Sequence, residues 1–406
     1  VFRIINNSYF TKWVLTTCVA MLTLAGPGRL AIFTVAAAGG SPYVLTTHSR
    51  LIDISLLLAC TLATQRFFRW RWIESLIISY TVVWPVANSS SAGWVMLLTS
   101  GCAMLCGTFI SQMNPAHATN TLQIICSQFL LLQWFSVALQ AEQFYSPGVG
   151  VRFGGFWQTP EMIYPFALVL LTCTLLNQGE TRMQNQSAAL TQAFLLLAVV
   201  SLSATGSRSA IFAGLGVVVW CIKSGKRNTT IGLCLVLLTA GLIRRIWNLE
   251  ALESTMASSA PRIDMFELYQ EAVSRQWFFG NGLNSFVRMQ LESGEPLGRY
   301  SLIAVPNNFL NIASDYGLIW LGCFASIAIY GSRRALRIPG TRSVVCGLCI
   351  LAVPMLTETI INSTYLMLPV NVLVCFGAGL LLGAIIHIRP VKSQPVFLGR
   401  VGSASS

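Results

Sequence analysis

Residues 188–222 read AALTQAFLLLAVVSLSATGSRSAIFAGLGVVVWCI. Two apolar runs, 188–205 and 209–222, contain no charged residue and are separated only by Gly206, Ser207 and Arg208. A helical run of about 15–20 apolar residues is long enough to cross a hydrocarbon core. Three residues leave no room for a loop, so the stretch predicts a tight helical hairpin with one cation at its tip.

The rest of the chain repeats this pattern. Apolar runs fall at 12–26, 51–65, 73–87, 92–111, 119–139, 161–177, 188–205, 209–222, 229–243, 307–331, 343–357 and 366–387. Leu30 to Ala38 is apolar but too short to span, and reads as an interfacial or re-entrant piece. Hydrophobic residues make up 54% of the 406 positions and charged residues 10%. A soluble chain carries about 25% charged residues, so this one lacks the polar surface to cover itself in water. The expected fold is an all-α polytopic membrane protein with about 12 transmembrane helices. The first run, Trp13 to Gly26, has no small-residue cleavage site and reads as a retained span rather than a signal peptide. The 12 cysteines fall mostly in apolar runs and read as small buried hydrophobes. Cys346 and Cys349 form a lone CxxC spacing inside a run, for which packing is the expected role.

Basic residues orient the runs. With the N-terminus inside, twelve crossings put sixteen Lys and Arg in the cytoplasm: Arg3, Lys12, Arg66, Arg69, Arg71, Arg182, Lys223, Lys226, Arg227, Arg333, Arg334, Arg337, Arg342, Arg389, Lys392 and Arg400. Outside the long loop, only Arg29, Arg50, Arg152 and Arg208 fall on the other face. Cytoplasmic loops carry the excess of Lys and Arg, so both termini are expected inside. The net charge of +12 then needs no nucleic-acid partner. The expected organisation is a membrane domain over 1–243, a periplasmic loop over 244–306, a second membrane portion over 307–388 and a cytoplasmic tail over 389–406. The loop is nearly neutral. Within it, Pro261 to Trp277 predicts an amphipathic helix capped by Ser259 and stopped by Gly280-Asn281-Gly282.

The outer face gathers arginines. Arg152 precedes the span opening at Pro160-Glu161, Arg208 tips the hairpin, and Arg262 opens the loop helix. A single such arginine is as well explained by snorkelling to headgroups. Three on one face suit a phosphate, because guanidinium binds phosphate oxygens in bidentate fashion and stays charged.

Four segments in order then carry a resemblance. Arg152-x-x-Gly155-x-Trp157-x-x-Pro160 resembles an R-x-x-G-x-F-x-x-P-N stretch, with Trp157 for Phe and Glu161 for Asn. Thr205-x-Ser207-Arg208-Ser209-Ala210 resembles T-x-S-R-G-A. Arg262-Ile263 through Gly280-x-Gly282-x-x-x-Phe286 resembles an R … W … G-x-G-x-x-x-F run. Asn307-x-Phe309-Leu310 with Asp315-x-Gly317 resembles H-N-x-x-L … E-x-G. Together they resemble the O-antigen ligase/polymerase superfamily of bacterial inner membranes, multi-span enzymes similar in architecture to GT-C glycosyltransferases. The family's His before the Asn is missing here. The three histidines are His48, His117 and His387, none in the loop. That departure places polymerase ahead of ligase.

The resemblance implies transfer of a glycan from undecaprenyl pyrophosphate to an acceptor hydroxyl at the periplasmic face, the acceptor being a glycan or lipid A-core. It implies Arg208, Arg152 and Arg262 on the pyrophosphate, with Asn307 and Arg288 as further substrate contacts. Glu161, Asp264 and Asp315 are candidate general bases, against the plainer reading of Asp264 and Asp315 as helix-end and packing acids. Glu358 and Asp53 read as hydrogen-bonded intramembrane acids. No cofactor and no metal are expected, and the partners are the lipid-linked glycan, membrane lipids and a chain-length regulator. Rival expectations are a lipid-linked sugar flippase, which would favour broken helices and polar residues near mid-membrane, and a structural membrane subunit.

Overall fold

The computed structural model describes residues 91–138, 144–146, 150–153, 162–177, 188–225, 229–246, 270, 273–282, 307–356 and 368–387. In chain order the described elements are α1 (Ser91–Met113), α2 (Ala118–Ala138), β1 (Phe144–Ser146), β2 (Gly150–Arg152), α3 (Tyr164–Asn177), α4 (Ala188–Thr205), α5 (Arg208–Lys223), α6 (Thr229–Ile246), α7 (Asn308–Ala335), α8 (Arg342–Cys349), α9 (Ala352–Met355) and α10 (Leu368–His387). Among the described residues the fold is all-helical, as expected, with a short antiparallel ribbon in which Phe144 faces Arg152 and Ser146 faces Gly150. Each apolar run from 92 onward carries described helix. The runs 12–26, 51–65 and 73–87, the piece Leu30–Ala38, His48, Asp53, Glu358 and the tail lie outside the described residues.

The centre of the bundle is α3. Every residue of it except Leu176 is buried, as expected of a helix apolar on all sides. It packs against α2, α4, α5 and α8. Phe166 stacks on Phe129 of α2 with ring centroids 3.8 Å apart, and the Cys173 thiol donates to the Ser343 carbonyl at 3.3 Å. Several polar side chains buried here pair across helices. The Gln123 amide donates to Thr174 Oγ1 at 3.0 Å, and the Asn177 amide donates to Asn120 Oδ1 at 3.3 Å. Thr119 donates to the Gly340 carbonyl at 2.6 Å. These pairings join helix ends that an up-and-down path places on one side.

The closest pair is α1 with α10. A Cβ at Gly379 would land on the Met104 carbonyl, one at Gly383 on the Thr108 carbonyl, and one at Gly107 on the Phe376 carbonyl. Residue numbers rise together along the contact, so the helices run parallel. Gly379-x-x-x-Gly383 is the small-residue spacing that lets membrane helices touch backbone to backbone. Small residues elsewhere divide. Ala213 and Gly214 of α5 are buried, the latter against Leu171, Leu202 and Leu238, whereas Gly216 faces open space.

Two helical stretches among the described residues are interrupted, within the runs 307–331 and 343–357. In α7, Gly317 adopts φ 85 and ψ 167 inside the helix. Between α8 and α9 the turn tightens: Leu351 N–H donates to Leu348 and Val353 N–H to Ile350. Pro354 explains it, because it has no N–H to give the Ile350 carbonyl, and the i→i−3 bond from Val353 takes that place.

By length and apolarity together, Ala188–Thr205 is the one helix among the described residues suited to crossing a membrane; Tyr164–Asn177, Thr230–Ile243, Arg342–Met355 and Val370–Ile386 are apolar and shorter. Helices α1, α2 and α10, with 23, 21 and 20 residues, contain no Asp, Glu, Lys or Arg. At 1.5 Å per residue they reach about 30 Å. Cys106, Cys126, Cys173, Cys221 and Cys234 are buried thiols, as expected, while Cys349 of the CxxC spacing is exposed and Cys346 half-buried.

Candidate site at the α4–α5 turn

The turn between α4 and α5 is built by Gly206, whose φ of 62 reverses the chain in one residue. Ser207 then caps α5: its hydroxyl accepts from the Ala210 N–H at 3.4 Å and lies 3.1 Å from the Ser209 hydroxyl. Thr205 closes α4 by donating to the Leu202 carbonyl at 2.8 Å. Arg208 is therefore the first residue of α5, and it is half-buried. A cation on the first turn opposes the helix dipole at a cost of about 0.3–1 kcal/mol. An anion at the same place is favoured by the helix terminus and by the guanidinium together.

The ribbon is tied to the same turn. Phe153, next after β2, donates its N–H to the Ala204 carbonyl at 3.0 Å. Its ring stacks on Trp134 of α2 with centroids 4.2 Å apart. The Trp134 indole N–H in turn donates to Ser201 of α4 at 2.8 Å. Arg152 is thus one residue from a backbone bond to α4, and Arg208 is four residues beyond the acceptor. The sequence reading missed Trp134, Phe153 and Ser201 as supports. The available signal was a tryptophan inside an apolar run, whose N–H needs a partner when buried.

A second cluster forms where the long loop meets α7. Gly280 N–H donates to the Gln276 carbonyl at 2.9 Å, closing the turn after the helical residues 273–275. Trp277 therefore lies in that turn, two residues past the helical Arg275, and the predicted helix before Ser274 lies outside the described residues except for Gln270 and Val273. Asn281 N–H donates to the Ser314 carbonyl at 2.8 Å, Gly282 N–H to the Asp315 carbonyl at 3.0 Å, and Leu318 N–H to the Trp277 carbonyl at 2.8 Å. The two sequence segments Gly280-x-Gly282 and Asp315-x-Gly317 thus meet directly. Asp315 is 2% exposed at this junction, which makes it part of a loop–helix joint rather than of a simple helix–helix contact.

Asn307, read from the sequence as a substrate contact, caps α7. Its Oδ1 accepts from Phe309 and Leu310 N–H at 2.9 and 3.1 Å, and its Nδ2 donates to the Leu356 carbonyl at 3.2 Å. Both ends of the amide are engaged, so it caps α7 and ties it to the residue after α9. Helix α9 also packs against α5, which links the loop joint to the helix that Arg208 opens. Arg262, Arg288, Glu161 and Asp264 lie outside the described residues. Among the described residues, no three His, Cys, Asp or Glu side chains gather as metal ligands would. No protein-family model matches the sequence, and no curated protein matches it.

Proposed function

We infer that this chain is a membrane glycosyltransferase that moves a glycan from a polyprenyl pyrophosphate to an acceptor hydroxyl at the outer face of a bacterial inner membrane, acting as a polysaccharide polymerase. The observation that carries the reading is the bond from Phe153 to Ala204. It joins the Arg152 segment to the Arg208 turn, two of the four segments on which the family resemblance rests. The joint between Gly280–Gly282 and Ser314–Gly317 brings the other two together.

The membrane part of the reading is supported by an inside-out distribution of residues. Leu131, Phe135, Leu196, Phe212, Val236 and Ile327 are exposed, while Gln123, Gln133, Asn177, Asn308, Asn311 and Asn371 are buried. Exposed apolar patches of this kind mark a lipid or protein contact.

In the proposed mechanism the leaving group is already good, and the need is to stabilise charge developing on the pyrophosphate. Arg208 at the helix terminus, with Arg152, would supply that positive charge. Arg262 and Arg288 of the loop complete the set, and an acid among Glu161 and Asp315 accepts the acceptor's proton. Arg208→Ala should cut transfer by about 10²–10³, the scale of losing one preorganised donor, with Arg208→Lys less severe. Long-chain glycan on cells, read beside membrane insertion, checks it, and normal chain length in Arg208→Ala rejects the role. A deletion strain separates the two enzymes: a polymerase loss leaves one repeat unit on the core, a ligase loss leaves the core bare.

The interrupted helices α7 and α8–α9 favour one rival, a lipid-linked sugar flippase, because discontinuous helices line transport sites. Release of polyprenyl pyrophosphate by purified protein distinguishes them, since a flippase moves the lipid without breaking that bond.

A further inference from the structure

The carbonyls that seat the long loop are the ones α7 would otherwise use itself. In an unbroken helix each N–H bonds the carbonyl four residues back. Leu318 N–H would take Ser314, and Ile319 N–H would take Asp315. Here Asn281 N–H occupies Ser314 at 2.8 Å, Gly282 N–H occupies Asp315 at 3.0 Å, and Leu318 N–H has turned to Trp277. The Asn281 side chain adds a second donor to Ser314 at 3.3 Å.

Glycine makes the exchange possible on both sides. Gly317 has φ 85 and Gly280 has φ 75, conformations that side chains disfavour. A Cβ at Gly317 would land on the Phe278 carbonyl, and one at Gly280 on the Asp315 carbonyl. Both backbones meet with nothing between them. Gly280, Gly282, Ser314 and Asp315 are buried, so the loop gives up buried partners when it leaves the joint, whereas α7 can rebond within itself.

We propose that the loop segment 277–282 and helix α7 form a two-state clasp: seating the loop breaks the helix at Gly317, and releasing the loop lets α7 close its own hydrogen bonds. The loop's donors and the helix's donors compete for the same two acceptors, so seating and breaking are one step. Gly280 and Gly317 are positioning residues in this device. The clasp stands on backbone geometry alone; that it opens and closes access to a glycan site rests on the reading above. Gly280 and Gly317 do not belong to the α4–α5 turn.

Hydrogen–deuterium exchange on the full chain in lipid nanodiscs tests it, read on peptides covering 277–282 and 314–319. In the unsubstituted protein both exchange slowly. In Gly280→Ala and Gly317→Ala the loop should exchange about tenfold faster or more, the scale of losing buried backbone bonds, while 314–319 stays slow because α7 has rebonded. Asn281→Ala removes only the side-chain donor and should speed the loop a few-fold; it decides the question if a glycine variant loses protection in α1 and α10 as well. The proposal is overturned if the loop stays as slow as in the unsubstituted protein, or if 314–319 speeds up together with it, which would mean fraying rather than exchange of partners. The measurement needs no substrate, so its failure is separate from failure of the transfer reading, which Arg208→Ala decides.

Discussion

Two regions of this molecule use glycine to bring backbones into contact, with opposite results. Along α1 and α10, Gly107, Gly379 and Gly383 remove side chains between two helices that remain intact. At Gly280 and Gly317 the same absence of side chain lets a loop take over the hydrogen bonds of a helix that is broken. In the first case the helices keep their own backbone bonds and gain van der Waals contact. In the second the contact is itself the hydrogen bonding. The first should behave as a rigid seam, and the second as a joint with an alternative state.

The seam gives the largest expected effect. Gly379→Leu drives a side chain into the Met104 backbone, and since no flexible group can yield, destabilisation should reach about 3 kcal/mol or more, beyond ordinary overpacking. Loss of monodisperse protein or a large drop in Tm in detergent checks this; an unchanged Tm would break the comparison.

Supports around the joint and the site come next, each about 1 kcal/mol. Asn307→Ala removes the α7 cap and the tie to Leu356, for a loss of about 1 kcal/mol, whereas Asn307→Asp keeps the capping oxygen and loses only the donor. Trp134→Phe keeps the stack on Phe153 but gives up the bond to Ser201, again about 1 kcal/mol. Thermal unfolding of the three variants ranks them, and Asn307→Asp should retain most of the lost stability.

The smallest effect sharpens the contrast. Gly216 lies on α5 with no neighbour near its missing Cβ, so Gly216→Leu should change stability by no more than about 0.5 kcal/mol. If it were as damaging as Gly379→Leu, close backbone approach would not be what distinguishes the seam.

Much of the helix plan was legible because apolar runs and their charge-free interiors report helix ends closely. The run 188–205 coincides with α4, and 119–139 with α2 to one residue. The breaks were not legible. Gly317 lies in the run 307–331, and nothing local distinguishes a glycine that packs from one that takes φ 85; the cause is a loop more than 30 residues earlier in the chain. The ribbon was not legible for a related reason, since its two three-residue strands carry no alternating pattern. For the site, the sequence could single out Arg208 from its position at a hairpin tip. It could not reveal that Asn307 spends both ends of its amide on backbone, because that depends on Leu356, 49 positions away.

The enclosure of α3 bears on how the chain is assembled during synthesis. This helix has no exposed face of its own, and one of its neighbours, α8, begins at Arg342, with Ser343 lying 170 positions after Cys173. Contacts so distant along the chain form late. Until the last quarter of the protein has been made, one flank of α3 faces something other than its final neighbour. Truncations ending before Arg342 should therefore leave one flank of this helix uncovered, even with every preceding helix formed, and greater protease sensitivity at this helix checks it.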